Sequence, residues 1–167
     1  MLYRAVLESP VGPIQLIAED HYIIRLDFYQ GGLQDCQAFL RRYFGEASFA
    51  DGPCRALTQA MGQLDEYFGG TRRDFDIDIK LYGTPFYQKV WAELCNIPYG
   101  ACISYKTLAE RCGTGKAFRA VGQANHHNPI SVIVPCHRVI GADGRMTGYG
   151  SGIEIKRFLL ALEAKNR

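Results

Sequence analysis

The sequence predicts an α+β protein in two parts, and three observations carry that reading. Short runs rich in β-branched residues crowd the first thirty positions, helical periodicity governs most of the rest, and charge divides unevenly along the chain. Residues 1–80 hold 8 Lys and Arg against 12 Asp and Glu, whereas residues 81–167 hold 11 against 5, although the whole chain is only +2. An acidic part followed by a basic one suggests that one of them meets a polyanion. A length of 167 residues with 47% apolar content suffices for one large or two small packed cores.

Residues 2–8, 14–18 and 22–28 are the β-rich runs, separated by Ser9-Pro10-Val11-Gly12-Pro13 and Glu19-Asp20-His21. These are turn compositions at hairpin spacing, so an antiparallel meander is expected. Gln30-Gly31-Gly32 ends the sheet. Cys36, Phe39, Leu40 and Phe44, then Leu57, Met61, Leu64 and Phe68, repeat at helical spacing and predict two amphipathic helices. Phe75, Ile77, Ile79 and Leu81 alternate with Asp74, Asp76, Asp78 and Lys80, the period of a half-buried strand. The first domain is therefore drawn over residues 1–81 and the second over 84–167.

Thr84-Pro85 opens the second part as an N-cap with proline at the first helical position, and Phe86, Val90, Trp91 and Leu94 trace one face of that helix. Ser104 caps a further helix that Gly113 ends, and after Thr114-Gly115 residues 116–124 read as another. Two short helices joined by a glycine turn, the second bearing Lys116, Arg119, Gln123 and Asn125, have the form of a DNA-binding helix-turn-helix, although many such hairpins bind nothing. His126-His127 in the following polar loop is not expected to hold a metal, because adjacent loop side chains seldom chelate one ion.

The reactive stretch is Ile133-Val134-Pro135-Cys136-His137-Arg138-Val139-Ile140. Its β-branched run reads as a buried strand that stops at Pro135, after which a thiol, an imidazole and a guanidinium follow in succession. A Cys with a His available is a candidate nucleophile and base, and a neighbouring cation lowers a thiol pKa. The bland alternative is that Cys136 is a small buried hydrophobe and His137 a satisfied core imidazole. Cysteines 36, 54, 95, 102 and 112 form no C-x-x-C pair, so they are expected to be structural, with neither a zinc site nor a disulfide framework. Residues 147–152 form a loop of small residues around Tyr149, and Ile155, Phe158, Leu159 and Leu162 then mark one face of a last helix, with Glu163 just beyond. No apolar run reaches the roughly 18 residues of a membrane helix and no signal peptide is evident, so a cytoplasmic protein, or a nuclear one in a eukaryote, is expected.

The second part resembles the O6-alkylguanine-DNA alkyltransferases. The matching pieces run in order from Thr84-Pro85-Phe86 through Ile103-Ser104-Tyr105, Arg119-Ala120-Val121-Gly122, Asn128-Pro129 and Pro135-Cys136-His137-Arg138-Val139 to Gly148-Tyr149 and Leu159-Leu160-Ala161-Leu162-Glu163. The resemblance implies a ribonuclease H-like first domain and a winged-helix-like second one. It implies single-turnover repair, in which Cys136 takes the alkyl group from O6-alkylguanine in double-stranded DNA, with O4-alkylthymine as a further substrate. His137 would withdraw the thiol proton through a water, Glu163 would orient the imidazole and favour its protonated form, and Tyr105 would assist the leaving guanine. Asn128 would tie the preceding loop to the cysteine segment.

The same resemblance gives backbone groups of Cys136, Val139, Gly150 and Ser151 the edge of the base, and Tyr149 its face. Arg119 would fill the space of the extruded nucleotide, with Lys116, Ala120, Gln123, Asn125 and Tyr105 completing the DNA surface. It implies no cofactor, no metal, no membrane partner and a monomer. Small residues such as Ala-Gly-Gly are frequent where Gly150-Ser151-Gly152 stands here, so Ser151 bears on how bulky a substituent can enter. Rival readings are an alkyltransferase-like damage reader, against which Cys136 argues, a helix-turn-helix transcriptional regulator, and a cysteine hydrolase that would turn over repeatedly.

Overall fold

The computed structural model describes residues 1–146, 148–150 and 152–167. The chain is α+β and groups into two compact units, Met1–Lys80 and Leu81–Arg167. In the first, β1 (Leu2–Leu7), β2 (Ile14–Glu19) and β3 (Tyr22–Phe28) form the expected antiparallel meander in the order β1-β2-β3, with a register shift at Ile17/Ala18. The centre strand is buried on both faces, with Ile14, Leu16, Ile17 and Ala18 fully inaccessible. The helices α1 (Gln34–Phe44) and α2 (Arg55–Phe68) follow, and α2 lays Leu57, Ala60, Leu64 and Tyr67 against the sheet.

The alternating segment 75–81 is not the strand its period predicts. Its apolar residues are indeed half-buried and its aspartates exposed, but pairing is confined to one bridge, Ile23 with Ile79. At Asp76 the backbone meets a side chain instead of a strand. Gln63 of α2 accepts from the Asp76 N–H at 2.8 Å and donates to its carbonyl at 3.0 Å, while Gln59 donates to the same carbonyl at 2.7 Å. Two amides of a helix thus satisfy the groups that a ladder would have used.

In the second unit, α3 (Pro85–Leu94) starts where Thr84 Oγ1 accepts the Tyr87 N–H at 3.1 Å. A parallel pair, β4 (Ile103–Ser104) with β5 (Val139–Ile140), forms a sheet of four residues. Ser104 caps α4 (Tyr105–Arg111) by accepting the Thr107 N–H at 3.1 Å. A turn with Gly113 and Gly115 at φ +70° and +60° leads to α5 (Phe118–His126), so Lys116 lies in the turn and not in the helix. Those dihedrals are open to glycine at little cost and reverse the chain tightly enough for α5 to pack on α4. The Trp91 indole donates to the Ala124 carbonyl at 2.8 Å and fixes α5 to α3. The last helix is α6 (Ile153–Lys165).

The run before the cysteine is also not a strand. Ile130, Val132 and Val134 are buried as expected, but the backbone turns there, with Val134 N–H donating to the Ile130 carbonyl at 2.9 Å. Val132 sits at φ +72°, a region that β-branched residues avoid. Asn128 sustains the turn from within: its Nδ2 donates to the Val134 carbonyl at 2.7 Å and its Oδ1 accepts the Ile130 N–H at 3.0 Å. Burial of three apolar side chains and two amide hydrogen bonds outweigh local β preference.

Candidate active site

Pro135 ends that turn, and Cys136–Arg138 make one turn of 3-10 helix whose three side chains are all buried. Cys136 is 3% exposed and His137 is fully enclosed. Burial pushes the Cys136 thiol above its ordinary range; hydrogen bonds from Asn128, Tyr149 and Ser131 and the charge of Lys156 pull the other way without reversing it. The expectation of a thiol lowered by its neighbouring cation is therefore not met at rest. Arg138, the cation meant, turns away to Glu163.

Glu163 gathers the site's polar groups. It is 1% exposed in the last turns of α6 and accepts His137 Nε2 at 2.8 Å, Arg138 Nη2 at 2.7 Å, Arg138 Nε at 3.0 Å and the Gly100 N–H at 3.3 Å. Arg138 Nη1 donates further to the Ile97 carbonyl at 2.6 Å. Burial alone would raise the Glu163 carboxyl, but the hydrogen bonds and charges of His137 and Arg138 outweigh it and bring it down to about 2. The carboxylate is ionised at any working pH and can only accept. Neutral His137 must then carry its proton on Nε2, leaving Nδ1 as a buried lone pair that meets no partner among the described residues.

At His137 burial outweighs the effect expected of Glu163. Burial lowers its pKa; the Glu163 hydrogen bond and charge raise it, and the Arg138 and Lys156 charges oppose that rise, so the net direction is down. Glu163 orients the ring and favours its protonated form as expected, yet the resting imidazole is neutral because burial outweighs that pull, with the Arg138 and Lys156 charges adding to it.

The remaining candidates divide. Asn128 is buried and tied to Val134, Val139 is buried at the first position of β5, and Tyr149 is 8% exposed and acts to lower the thiol pKa. Tyr105, at the start of α4, reaches the Gly148 carbonyl at 3.5 Å, and with Gly122, Gln123, His126 and His127 these two residues line a cleft of about 390 Å³. Gly150 runs close to α5: a Cβ there would lie 3.2 Å from the His126 carbonyl. Arg119, Ala120, Gln123 and Lys116 are exposed. Asn125, placed by sequence on that same face, is 2% exposed and directs Nδ2 to the Cys136 carbonyl at 3.4 Å, so it faces inward and not toward a partner. Its neighbours Ala124 and Val121 are buried too, which a 3.6-residue count along α5 accounts for. Ser151 lies outside the described residues.

Sequence reasoning gave no role to Ser131 or Lys156, and read Arg138 only as a cation beside the thiol. The signal for Lys156 was its spacing: seven residues before Glu163, it shares that residue's helix face, where Ile155 and Leu159 are also buried. Of the five cysteines expected to be structural, Cys95 and Cys102 are exposed and fill no core. His126 and His127 are exposed, the His127 ring stacking on Tyr87 at 5.8 Å.

Comparison with known proteins finds relatives along the whole chain. Residues 2–81 match the model of the 6-O-methylguanine DNA methyltransferase ribonuclease-like domain, and residues 85–165 that of the DNA binding domain of the same family. A methylated-DNA–protein-cysteine methyltransferase of Methanosarcina barkeri is 42% identical over 165 residues, covering 99% of both chains. The crystal structure of Mycobacterium tuberculosis O6-methylguanine methyltransferase superposes with TM-score 0.86 at 40% identity, over 100% of this chain and 95% of that one. The structure of Mycobacterium tuberculosis OGT in complex with DNA gives 0.84 at 40% identity, over 98% and 94%. With relatives of this identity aligned from end to end, the chain belongs to the 6-O-methylguanine DNA methyltransferase family.

Proposed function

We propose that this protein repairs DNA by direct reversal, taking the O6-alkyl group of guanine onto Cys136 in a reaction that consumes it. The observation that carries the reading is the buried chain Arg138–Glu163–His137 behind an enclosed thiol. Burial keeps His137 neutral and Glu163 holds its proton on Nε2, so Nδ1 keeps a lone pair, which is what a base requires. A thiol raised by burial and an imidazole lowered by burial are a neutral pair. Proton transfer from Cys136 to His137, through a bridging water, then accompanies attack instead of preceding it. As the imidazolium forms, Glu163 stabilises it. The S–C bond forms while the C–O6 bond breaks, and the negative charge left on the guanine meets a hydrogen bond from Tyr105.

The base must leave its stack to reach a recessed thiol. We assign the exposed face of α5, with Arg119, Ala120 and Gln123, and Lys116 in the turn before it, to the DNA minor groove. Arg119 fills the place of the extruded nucleotide. The backbone at Val139 and Gly150 reads the base edge, and Tyr149 packs the ring. Asn128 keeps the turn before Cys136 in place. O4-alkylthymine presents a similar displaceable alkyl–oxygen bond and is proposed as a second substrate. The protein acts as a monomer on double-stranded DNA, in a reducing compartment that suits a chain of free cysteines.

Intact-mass analysis after incubation with an oligonucleotide containing O6-methylguanine tests the proposal: one added methyl per protein, on the Cys136 peptide, is expected. Several repaired oligonucleotides per protein would indicate a hydrolase. Binding without added mass would indicate a damage reader.

A further inference from the structure

Lys156 is fully buried, and nothing in the chemistry above uses it. A buried ammonium is costly unless it is hydrogen-bonded and meets opposite charge. Its Nζ donates to the Val139 carbonyl at 2.6 Å, and Val139 in turn closes the Cys136–Arg138 turn by donating its N–H to the Cys136 carbonyl. Lys156 and Glu163 lie seven residues apart on the inward face of α6. One helix therefore grips the reactive turn at two points with opposite charges, Glu163 at His137 and Arg138, and Lys156 just past them.

The two ends do different work. Arg138 is occupied by Glu163, and among the leading influences on the thiol Lys156 is the charged one, acting to favour the thiolate. The titratable and charged groups around it are Cys136, His137 and Arg138 on the turn, Glu163 on its own helix, Cys102 ahead of β4, and Tyr149 in the loop before α6.

We propose that Lys156 is a positioning residue of alkyl transfer: its buried ammonium holds the Val139 carbonyl in place and supplies the positive field in which Cys136 gives up its proton. This rests on the repair reading for its consequence, but its test does not. The hydrogen bond occupies one lone pair of the Val139 oxygen and leaves the other for the base edge, so the same lysine also aims the carbonyl.

The experiment compares wild type with Lys156→Met, Lys156→Arg and Lys165→Met, the last removing a charge from the exposed end of the same helix. Two pH profiles are recorded: methyl transfer from duplex O6-methylguanine, and iodoacetamide capture at Cys136 followed by peptide mass spectrometry, which also resolves the exposed Cys95 and Cys102. In Lys156→Met the Cys136 profile should move to higher pH, and at pH 7 each unit of that move lowers the thiolate fraction about tenfold. Lys156→Arg should restore most of it, and Lys165→Met should match wild type. A folded Lys156→Met with the wild-type Cys136 profile overturns the proposal.

Should Lys156→Met fail to fold, the wild type alone decides. Coupled groups shift one another equally, so the NMR-titrated pKa of Lys156 should fall once Cys136 is alkylated, and an unchanged value overturns the proposal. Absence of methyl transfer in wild type would remove the repair reading, while the iodoacetamide profile would still report on Lys156.

Discussion

Replacing Glu163 by Gln keeps the shape of the side chain and removes its charge, which isolates the ionic part of the buried chain. Two routes give its size. Holding the carboxyl at about 2 instead of 4.5 corresponds to about 3 kcal/mol of preferential stabilisation of the folded state at neutral pH. Removing one partner of a buried ion pair costs about 3–5 kcal/mol, because Arg138, 6% exposed, would keep its charge with only the Ile97 carbonyl firmly bound. The amide also brings an NH2 group against donors: His137 Nε2 and Arg138 Nη2 share Oε1 while Arg138 Nε and the Gly100 N–H meet Oε2, so whichever oxygen becomes the NH2 leaves at least one donor without an acceptor. Glu163→Gln is therefore expected to lose about 3 kcal/mol, read as a fall in urea midpoint at constant m. Single-turnover methyl transfer should slow about 100- to 10,000-fold while duplex binding persists. A loss under about 1 kcal/mol together with an unchanged transfer rate would refute the reasoning, since it would mean that neither the turn nor the imidazole depends on the carboxylate.

Stability should also decline in acid in two stages. His137 is held below its ordinary 6.5, so the unfolded chain takes up that proton first; the stabilisation is present above about pH 6.5 and is lost as pH falls further. Glu163 adds its own loss below its ordinary 4.5, continuing down towards about 2, and urea midpoints that stay flat between pH 7 and 5 would contradict the first stage. Asn128→Ala removes two buried hydrogen bonds, at 2.7 and 3.0 Å, and should cost about 2–4 kcal/mol; a cost under about 1 kcal/mol in chemical unfolding would show that the turn holds itself. Arg119→Ala, at an exposed site, should leave stability within about 0.5 kcal/mol and slow transfer from duplex DNA more than from free O6-benzylguanine; equal slowing would exclude the wedge role.

Where neighbours in sequence decide the structure, the sequence was legible. The meander follows from its turn residues, and α3 and α4 start at Thr84 and Ser104 as their hydroxyls dictate. The helix-turn-helix form and the Cys136–His137 pair are likewise local. What was hidden lies in partners far along the chain. The backbone of Asp76 is satisfied by Gln63, 13 residues earlier, so a strand period is read correctly in burial and wrongly in pairing. Glu163 looks like a solvated carboxylate until Arg138, 25 residues before it, is brought alongside. Val132 shows tertiary context overriding propensity, because no local rule puts a β-branched residue at φ +72°. Asn125 differed for a simpler reason: α5 begins at Phe118, and that register turns position 125 inward.

These departures converge on one mechanical problem. The nucleophile rides on a single 3-10 turn, followed by a parallel pairing only two residues long, and such a ladder cannot fix a thiol to within the few tenths of an ångström that displacement requires. Apolar packing could bury the turn but would not set its rotation. Directional contacts can. Asn128 pins the chain before Cys136, Glu163 takes His137 and Arg138 within it, and Lys156 takes Val139 after it, so four successive residues from 136 to 139 are bounded by hydrogen bonds from two elements. Buried ion pairs of this kind add little net stability over an apolar core of equal volume. Their value is geometric, and it explains why charged residues occupy the inward face of α6 at the positions where leucine would pack as well: the helix is held as a ruler against the reactive turn, and a slip of one residue would unpair both of its charges at once.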